Sequence, residues 1–205
     1  MGVGPDDVTR GTSGEQDGER VILPVDPGLY EACAALVRLA SAAGVTLGTA
    51  ESCTGGLVAG CLTAVPGSSA VVRGGVVSYA IPVKQAVLGV TDEVVETPGV
   101  GVVSGACAEQ MAEGARRVLG SDVAVSVTGI AGPGGEEPGK PVGTVWLGLS
   151  TPRGTHSECH LFSGDRASVR LEAVRRAVEL LHEGVVDASG PADVGPGRDE
   201  AESGR

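Results

Sequence analysis

The sequence predicts a single-domain α/β protein, folded as a three-layer α/β/α sandwich around a mixed sheet. Segments with apolar residues at helical spacing alternate with short apolar segments typical of strands, and this alternation favours a layered α/β packing. The last two predicted strands, 143–150 and 155–162, form a hairpin, so the sheet is expected to be mixed rather than purely parallel. Aromatic residues are only 2% of the chain and glycines number 34, which suits layers that pack closely through small side chains.

End signals delimit the predicted helices. Asp26 and Pro27 are a good helix start, an N-cap residue followed by proline at the first helical position, and Gly44 ends that helix. Ser104 and Asp165 are the predicted caps of two later helices. The predicted helices are 28–43, about 54–64, 82–88, 104–119 and 165–182, and the strands before the hairpin are 45–50, 71–79 and 121–128.

The acidic charge lies mainly at the two ends of the chain. The net charge is −11, with six acidic and two basic residues in 1–26 and five acidic and two basic residues in 186–205. Both ends are predicted to be disordered acidic tails around a domain at 27–185. That domain has no basic stripe for a nucleic-acid backbone and no apolar run of about 18 residues for a membrane span. With no signal-peptide pattern either, we expect a cytoplasmic protein with neither a membrane nor a nucleic-acid partner.

The first segment whose residues could carry out catalysis is TAESCTGG, residues 49–56, between a predicted strand and a predicted helix. A hydroxyl there lies at a helix N-terminus, where free backbone N–H groups and the helix dipole favour negative charge. Ser52 is therefore a candidate nucleophile, with Gly55 and Gly56 as candidate N–H donors to an oxyanion. The alternative is that Ser52 only caps the helix, because serine is strongly preferred at caps.

The second segment is SYAIPVK, residues 78–84. Lysine is scarce in this chain, with only Lys84 and Lys140 against 13 arginines. Arginine cannot act as a base, whereas a lysine can once burial lowers its pKa. Lys84 is either such a base or a solvated side chain on the first turn of a helix. Tyr79 either relays or orients a proton, or is a core aromatic with a satisfied hydroxyl.

The third segment is a glycine-rich run that starts at Thr128 and Gly129 and continues to about Val142 after a predicted strand. Such a run forms either a backbone nest for an anion or nucleotide or a flexible connection. Residues 134–140 match part of a P-loop, but Pro141 replaces the required Ser or Thr and two glutamates would repel phosphate, so a P-loop NTPase is excluded.

The cysteines and histidines predict no metal site. Five scattered cysteines without a CxxC pair indicate neither a disulfide scaffold nor structural zinc. His156, Glu158 and His160 share one face of a predicted strand, and we interpret them as its solvated face, with Cys159 and Leu161 pointing inward.

In this order and context, the three segments resemble the C-terminal domain family of the competence-damage-inducible protein CinA. The resemblance extends over residues 29–183 and includes GVVSGACAEQMAEGAR (101–116), KPVGTVWLGL (140–149) and FSGDRASVR (162–170). It implies the same three-layer fold, usually in a homo-oligomer. Stand-alone members look like nicotinamide-nucleotide amidohydrolases, which implies deamidation of nicotinamide mononucleotide, a pyridine nucleotide, without a cofactor or metal.

The resemblance also implies roles for individual residues. The family's nucleophile matches Ser52, and its lysine and tyrosine match Lys84 and Tyr79. The hydroxyl residue before the GIAGP run and the arginine of the GDR run are implied substrate ligands, matched here by Thr128 and Arg166. With the glycines of the two loops, the predicted site comprises Ser52, Lys84 and Tyr79 as catalytic residues and Thr128, Arg166, Gly55, Gly56 and Gly129 as substrate-binding residues.

Two other functions stay open at this point. A CinA-like domain without activity would be a binding or regulatory module linked to competence, because a fold can persist after its chemistry is lost. A Ser/Lys amidase could also act on another pyridine nucleotide. One departure from the family's pattern affects the access to Lys84 without changing its spacing from Tyr79: the stretch between these two residues is apolar and contains Pro82, where relatives are often polar.

Overall fold

The computed structural model describes residues 27–190. The predicted tail 1–26, with the Asp26 cap, and residues 191–205 lie outside this range. The helices are α1 (Pro27–Ala43), α2 (Leu57–Thr63), α3 (Ile81–Val83), α4 (Asp92–Glu96), α5 (Gly105–Leu119) and α6 (Arg166–Ser189), and the strands are β1 (Leu47–Glu51), β2 (Val72–Val77), β3 (Val123–Gly129), β4 (Thr144–Thr151) and β5 (Gly154–Leu161). A π-helical turn, Lys84–Leu88, continues α3, and a 3₁₀ turn, Ser68–Ala70, precedes β2.

The five strands form one mixed sheet in the order β2-β1-β3-β4-β5. The strands β2, β1 and β3 are parallel, whereas β4 and β5 run antiparallel to their neighbours. The predicted mixed sheet and its hairpin are therefore confirmed. Since β1 connects to β2 on one side while β3 lies on its other side, the carboxyl end of β1 is a topological switch point, where open α/β sheets bind their ligands.

Helices cover both faces of the sheet, as the predicted three layers require. The helices α1, α2 and α6 pack around one face, where the core includes Leu47, Val125 and Leu147. The helix α5 covers the other face, where Ala50 and Ala124 pack against its side chains. Close approach on this second face depends on small residues: a Cβ on Gly148 would lie 2.4 Å from the carbonyl oxygen of Ala108 in α5.

Most predicted boundaries shift by one to three residues in the structure, and two differences are larger. The helix α6 continues to Ser189, so the segment 186–189, predicted as tail, is helical. Its inner face stays apolar beyond the predicted end, with Val185 fully buried, and this burial holds the last turn. The short helix α4 was not predicted, because five residues are too few for a periodic pattern, although Thr91 caps it by accepting a hydrogen bond from the N–H of Val94.

The sidedness predicted for β5 is wrong. Leu161 is 66% exposed and Cys159 is also exposed, while Glu158 and His160 are half-buried. These exposures arise because α6 and α5 cover the two faces of this edge strand to different extents. Arg176 of α6 pairs with Glu158 on one face, whereas α5 reaches only the first half of the other face, through the bond from Ser157 to Glu109.

Ser104 is the confirmed N-cap of α5, because its Oγ accepts a hydrogen bond from the N–H of Cys107 at 3.2 Å. We expect Ser104→Ala to lower the free energy of unfolding by about 1 kcal/mol, the usual cost of losing such a cap. Urea denaturation measures this change. Ser41→Ala, in the exposed part of α1, is the matched control and should be neutral or slightly stabilising. Equal effects of the two variants would contradict the capping role.

In the described part of the chain, no helix is long and apolar enough to cross a membrane. The same residues contain no group of three or more His, Cys, Asp or Glu side chains that could hold a metal ion.

Candidate active site

The predicted site residues converge on the carboxyl edge of the parallel strands. Glu51, the last residue of β1, pairs with Val77 on one side and with Val127 on the other. The next residue, Ser52, donates its N–H to the carbonyl of Val127 at 2.9 Å, and the N–H of Ser78 reaches the Glu51 carbonyl at 2.8 Å. Ser52 is therefore flanked by the chain segments that lead to Lys84 and carry Thr128.

Lys84 lies in the interior, with only 1% of its surface exposed. Its Nζ donates a hydrogen bond to the carbonyl of Ser78, the residue after Val77, which pairs with Glu51 in the register. Burial lowers the pKa of the Lys84 amine below its ordinary 10.5, while the nearby Cys107 and Cys53 thiols act in the opposite direction. Of the two alternatives open for Lys84, the solvated side chain is excluded.

The thiols around Lys84 stay protonated at neutral pH. Burial raises the pKa of Cys53 to about 11, although the charges of Lys84, Arg166 and Arg170 act to lower it. Burial also raises the pKa of Cys107 to about 11. Since the thiolate is the reactive form of cysteine, these thiols are poor nucleophiles, and Ser52 is the better candidate.

Glu51 fixes the start of α2 and was missed by sequence reasoning. Its carboxylate, 1% exposed, accepts hydrogen bonds from the N–H groups of Gly56 at 2.9 Å, Val58 at 3.1 Å and Ala59 at 2.9 Å. A buried carboxylate at a helix N-terminus satisfies donors that would otherwise be orphaned and complements the dipole. This arrangement holds the Ser52 loop against the sheet, and it means that Ser52 is not the cap of α2.

The prediction that the N–H groups of Gly55 and Gly56 bind an oxyanion is wrong, because both groups already have acceptors within the protein. The N–H of Gly56 is bound by Glu51, and the N–H of Gly55 closes a turn on the Ser52 carbonyl at 3.1 Å. Both glycines have positive φ, +65° and +97°, which other residues rarely adopt. The structure therefore assigns them to the shape of the loop, and the N–H groups that could bind an oxyanion lie elsewhere.

Tyr79 and Arg166 meet at the rim of the site. Tyr79 is 63% exposed, so it is not the core aromatic that one interpretation proposed. The Nη2 of Arg166 donates to its hydroxyl at 3.1 Å, and the Nη1 of the same arginine donates to the carbonyl of Gly132 at 3.0 Å. This contact links the start of α6 to both the second and the third predicted segments.

Thr128 and Gly129 are fixed by structural contacts in β3. The hydroxyl of Thr128, 1% exposed, donates to the carbonyl of Val102 at 2.7 Å. A Cβ on Gly129 would lie 2.5 Å from the carbonyl oxygen of Thr144, so glycine is required there for the approach of β4. Both residues follow Val127, whose carbonyl accepts the Ser52 N–H, and the Thr128 hydroxyl is already bound within the protein.

The site is an open surface at the strand ends, with exposed Gly55, Tyr79 and Arg166 around half-buried Ser52. A cavity of about 520 Å³ lies at the opposite end of the sheet, around Arg116, Ser121 and Arg153, and its lining includes no predicted site residue. We place the candidate site at the strand ends because the buried lysine and the switch point coincide there.

The fold and the site define the class: a single α/β domain with a serine and a buried lysine at the switch point of a mixed sheet. The family model of the CinA C-terminal domain matches residues 30–185. The chain therefore belongs to the CinA C-terminal domain family.

Individual relatives agree with this membership. A CinA-like protein of Anaeromyxobacter sp. (strain K) is 49% identical over 146 residues, which are 71% of this chain and 35% of the relative. The chain thus spans about a third of the length of such curated relatives.

Solved structures cover the domain more fully. A CinA superfamily protein from Klebsiella pneumoniae has a TM-score of 0.73 at 35% identity, covering 78% of this chain and 98% of its own. The competence/damage-inducible protein CihA from Agrobacterium tumefaciens has a TM-score of 0.71 at 42% identity, covering 76% of this chain and 94% of its own.

Proposed function

We propose that this domain is an amidohydrolase that converts nicotinamide mononucleotide to nicotinic acid mononucleotide and ammonia. The observation that carries the proposal is the buried Lys84 amine, bonded to the carbonyl of Ser78, whose own N–H donates to the carbonyl of Glu51, the residue before Ser52. A buried amine with a lowered pKa is costly to a fold and is common where a lysine acts as a base. The substrate itself follows from the family resemblance.

The proposed reaction begins with proton transfer from the Ser52 hydroxyl to the neutral Lys84 amine. Ser52 then attacks the carboxamide carbon, which the positively charged pyridinium ring makes more electrophilic. Lys84 returns its proton to the nitrogen of the tetrahedral intermediate, and ammonia leaves. Water, deprotonated by Lys84, hydrolyses the ester on Ser52 and frees the carboxylate product.

The rim residues are proposed to bind the nucleotide part. Arg166 has a guanidinium held at the mouth of the site by Tyr79 and by the Gly132 carbonyl, which suits it to pair with the substrate phosphate. Thr128, whose hydroxyl is bound to the Val102 carbonyl, and Gly129 would fix the start of the glycine-rich loop that follows, and this loop would face the ribose. Gly55 and Gly56 would contact the substrate only through the shape that they give the Ser52 loop.

We propose a cytoplasmic location for the enzyme, and its net charge of −11 disfavours binding to nucleic acid. The exposed apolar side chains next to the site, Val77 at 50% and Tyr79 at 63%, support a homo-oligomer. Sedimentation velocity would measure its size.

Ammonia release from nicotinamide mononucleotide, measured with a metal chelator present, tests the proposal. We expect one ammonia per nicotinic acid mononucleotide formed, and no release from free nicotinamide, which lacks the phosphate that Arg166 would bind. A folded protein that binds the mononucleotide in a thermal-shift assay without turning it over would instead be a binding module. Faster release from another pyridine nucleotide would reassign the substrate.

Tyr79→Phe should have a modest effect on the kinetics if Tyr79 only holds Arg166 at the edge of the site. Its hydroxyl contacts Arg166 and is well exposed, so we expect KM to rise by less than about tenfold, with kcat changed little, as for the loss of one binding contact. Steady-state kinetics with the mononucleotide measure both constants. A fall in kcat of about 100-fold or more would instead make Tyr79 part of the proton transfer.

A further inference from the structure

Exposed apolar side chains are concentrated in one segment, beside the candidate site. Among the described residues, nine large apolar side chains are at least 36% exposed, and five of them lie within the eleven positions 77–87. We call these five the apolar face: Val77, Tyr79, Ile81, Val83 and Val87. Two positions apart at the end of a strand, or four apart in a helical turn, side chains point to the same side. A cluster of this kind marks an interaction surface, whereas scattered apolar side chains are normal.

The apolar face also carries no exposed charge. Between positions 74 and 91 the only charged residue is Lys84, which is 1% exposed. The whole chain has 26 acidic and 15 basic residues, so its surface is otherwise rich in charge. Depletion of charge together with an aromatic side chain, here Tyr79, is typical of the centre of a protein–protein interface.

At Val77 the apolar face meets an open edge of the sheet. The strand β2 is the outermost strand on this side, so the outer row of its backbone N–H and C=O groups has no neighbouring strand in the part of the chain that the structure describes. Proteins usually protect such an edge with charged residues or proline. Arg73 lies in the first half of β2, but the second half, residues 74–77, is Gly-Gly-Val-Val. A partner is therefore not repelled there.

The charge of the chain favours a second copy of itself as this partner. Two copies with a net charge of −11 repel each other, so they associate most readily where the contact surface has no charge. An anionic membrane is repelled by the same charge, and a basic protein would pair with the acidic surface instead. About a twofold axis the apolar face is complementary to itself, because the same surface is presented by both copies.

The apolar face borders the candidate site. A Cβ on Gly56 would lie 3.4 Å from Cγ2 of Val77, so Val77 lies close to the loop that carries Ser52. The hydroxyl of Tyr79 accepts a hydrogen bond from Arg166 at the rim. A second copy on this face would therefore cover one side of a site that is otherwise open.

We propose that two copies of the chain associate through the apolar face, and that each copy closes one side of the other's site. Association removes apolar side chains from water. Exclusion of water beside Val83 also keeps the next residue, Lys84, in a medium of low dielectric constant, where its amine acts more strongly on Ser52. The association stands without the proposed function, whereas its effect on catalysis rests on that function.

Val87→Glu, compared with Val118→Glu, tests the association. Both valines are exposed, and Val118 lies on α5, outside the apolar face. In sedimentation velocity the parent and Val118→Glu should be dimers. The dissociation constant of Val87→Glu should be at least about 100-fold higher, because the new carboxylate would be buried against apolar side chains. Circular dichroism checks that the variants are folded, and Ile81→Glu is a second variant of the same face.

Ammonia release over a dilution series tests the effect on the site. The activity per chain of the parent should fall about tenfold as the dimer dissociates, and Val87→Glu should have the lower value throughout. A dimer without any ammonia release would contradict the proposed function and leave the association supported. A monomeric parent, or equal dissociation of Val87→Glu and Val118→Glu, would overturn the inference. Activity per chain that does not change on dissociation would overturn the closing of the site.

Discussion

Ser52→Ala should lower the rate of ammonia release from nicotinamide mononucleotide by at least about 10⁴-fold, the usual effect of removing the nucleophile of a serine hydrolase. Ser52 lies half-buried at the end of β1 with its N–H fixed on Val127, and its side chain makes no cap to α2. The substitution therefore removes the attacking oxygen while leaving the loop contacts of Glu51 in place. The free energy of unfolding should change by less than about 0.5 kcal/mol.

The matched control is Ser68→Ala. Ser68 is another largely buried serine, at the 3₁₀ turn before β2, so it lies at the amino end of that strand and not at the carboxyl ends that carry the site. The kcat of Ser68→Ala should equal that of the parent. Ammonia release by Ser52→Ala at more than a hundredth of the parent rate would remove Ser52 from the mechanism, whatever the effect of Ser68→Ala.

Lys84→Met should abolish turnover and stabilise the fold at neutral pH. Methionine keeps the unbranched shape without the amine, so no buried group needs to lose its charge or its water. The loss of the bond to the Ser78 carbonyl offsets part of the gain, and we expect a net increase of about 1 kcal/mol in the free energy of unfolding. Lys84→Arg keeps a charge but cannot act as a base, so it should also be inactive, and less stable.

The increase in the free energy of unfolding expected for Lys84→Met should depend on pH in a definite direction. The folded pKa of Lys84 lies below its ordinary value of 10.5, so the unfolded chain binds the proton more tightly than the folded chain. The parent therefore loses stability as the pH falls from about 10.5 towards the folded pKa. The advantage of Lys84→Met in urea denaturation should grow over that range and shrink near pH 10. A gain that is independent of pH would contradict burial of the amine as its cause.

Local signals predicted most of the fold. The caps Ser104 and Asp165 and the periodic patterns of α1 and α5 are contained in short stretches of sequence, and all four are found in the structure. The sidedness of β5 could not be predicted in the same way, because it depends on how far α5 and α6 extend over an edge strand. The outward Leu161 shows that alternation alone does not tell which face is covered.

The sequence motifs located the site but not its supporting contacts. Ser52 follows a predicted strand, and the scarcity of lysine singled out Lys84, so both were accessible from the sequence. Glu51 was within reach, since a carboxylate directly before the loop of a helix N-terminus is a signal for capping. The contact from Arg170 to Cys53 spans 117 residues, and no local pattern predicts which arginine of α6 makes it.

The protonation state of Lys84 is the most direct test of the central claim, that a neutral buried amine activates Ser52. The chain has only two lysines, so NMR of protein labelled at lysine Nζ and Cε gives two titrating signals, and Lys140→Met assigns the one that belongs to Lys84. We predict that the Lys84 signal titrates below 10.5 and that kcat/KM rises with pH through the same midpoint. A Lys84 signal that titrates at its ordinary value would contradict the account.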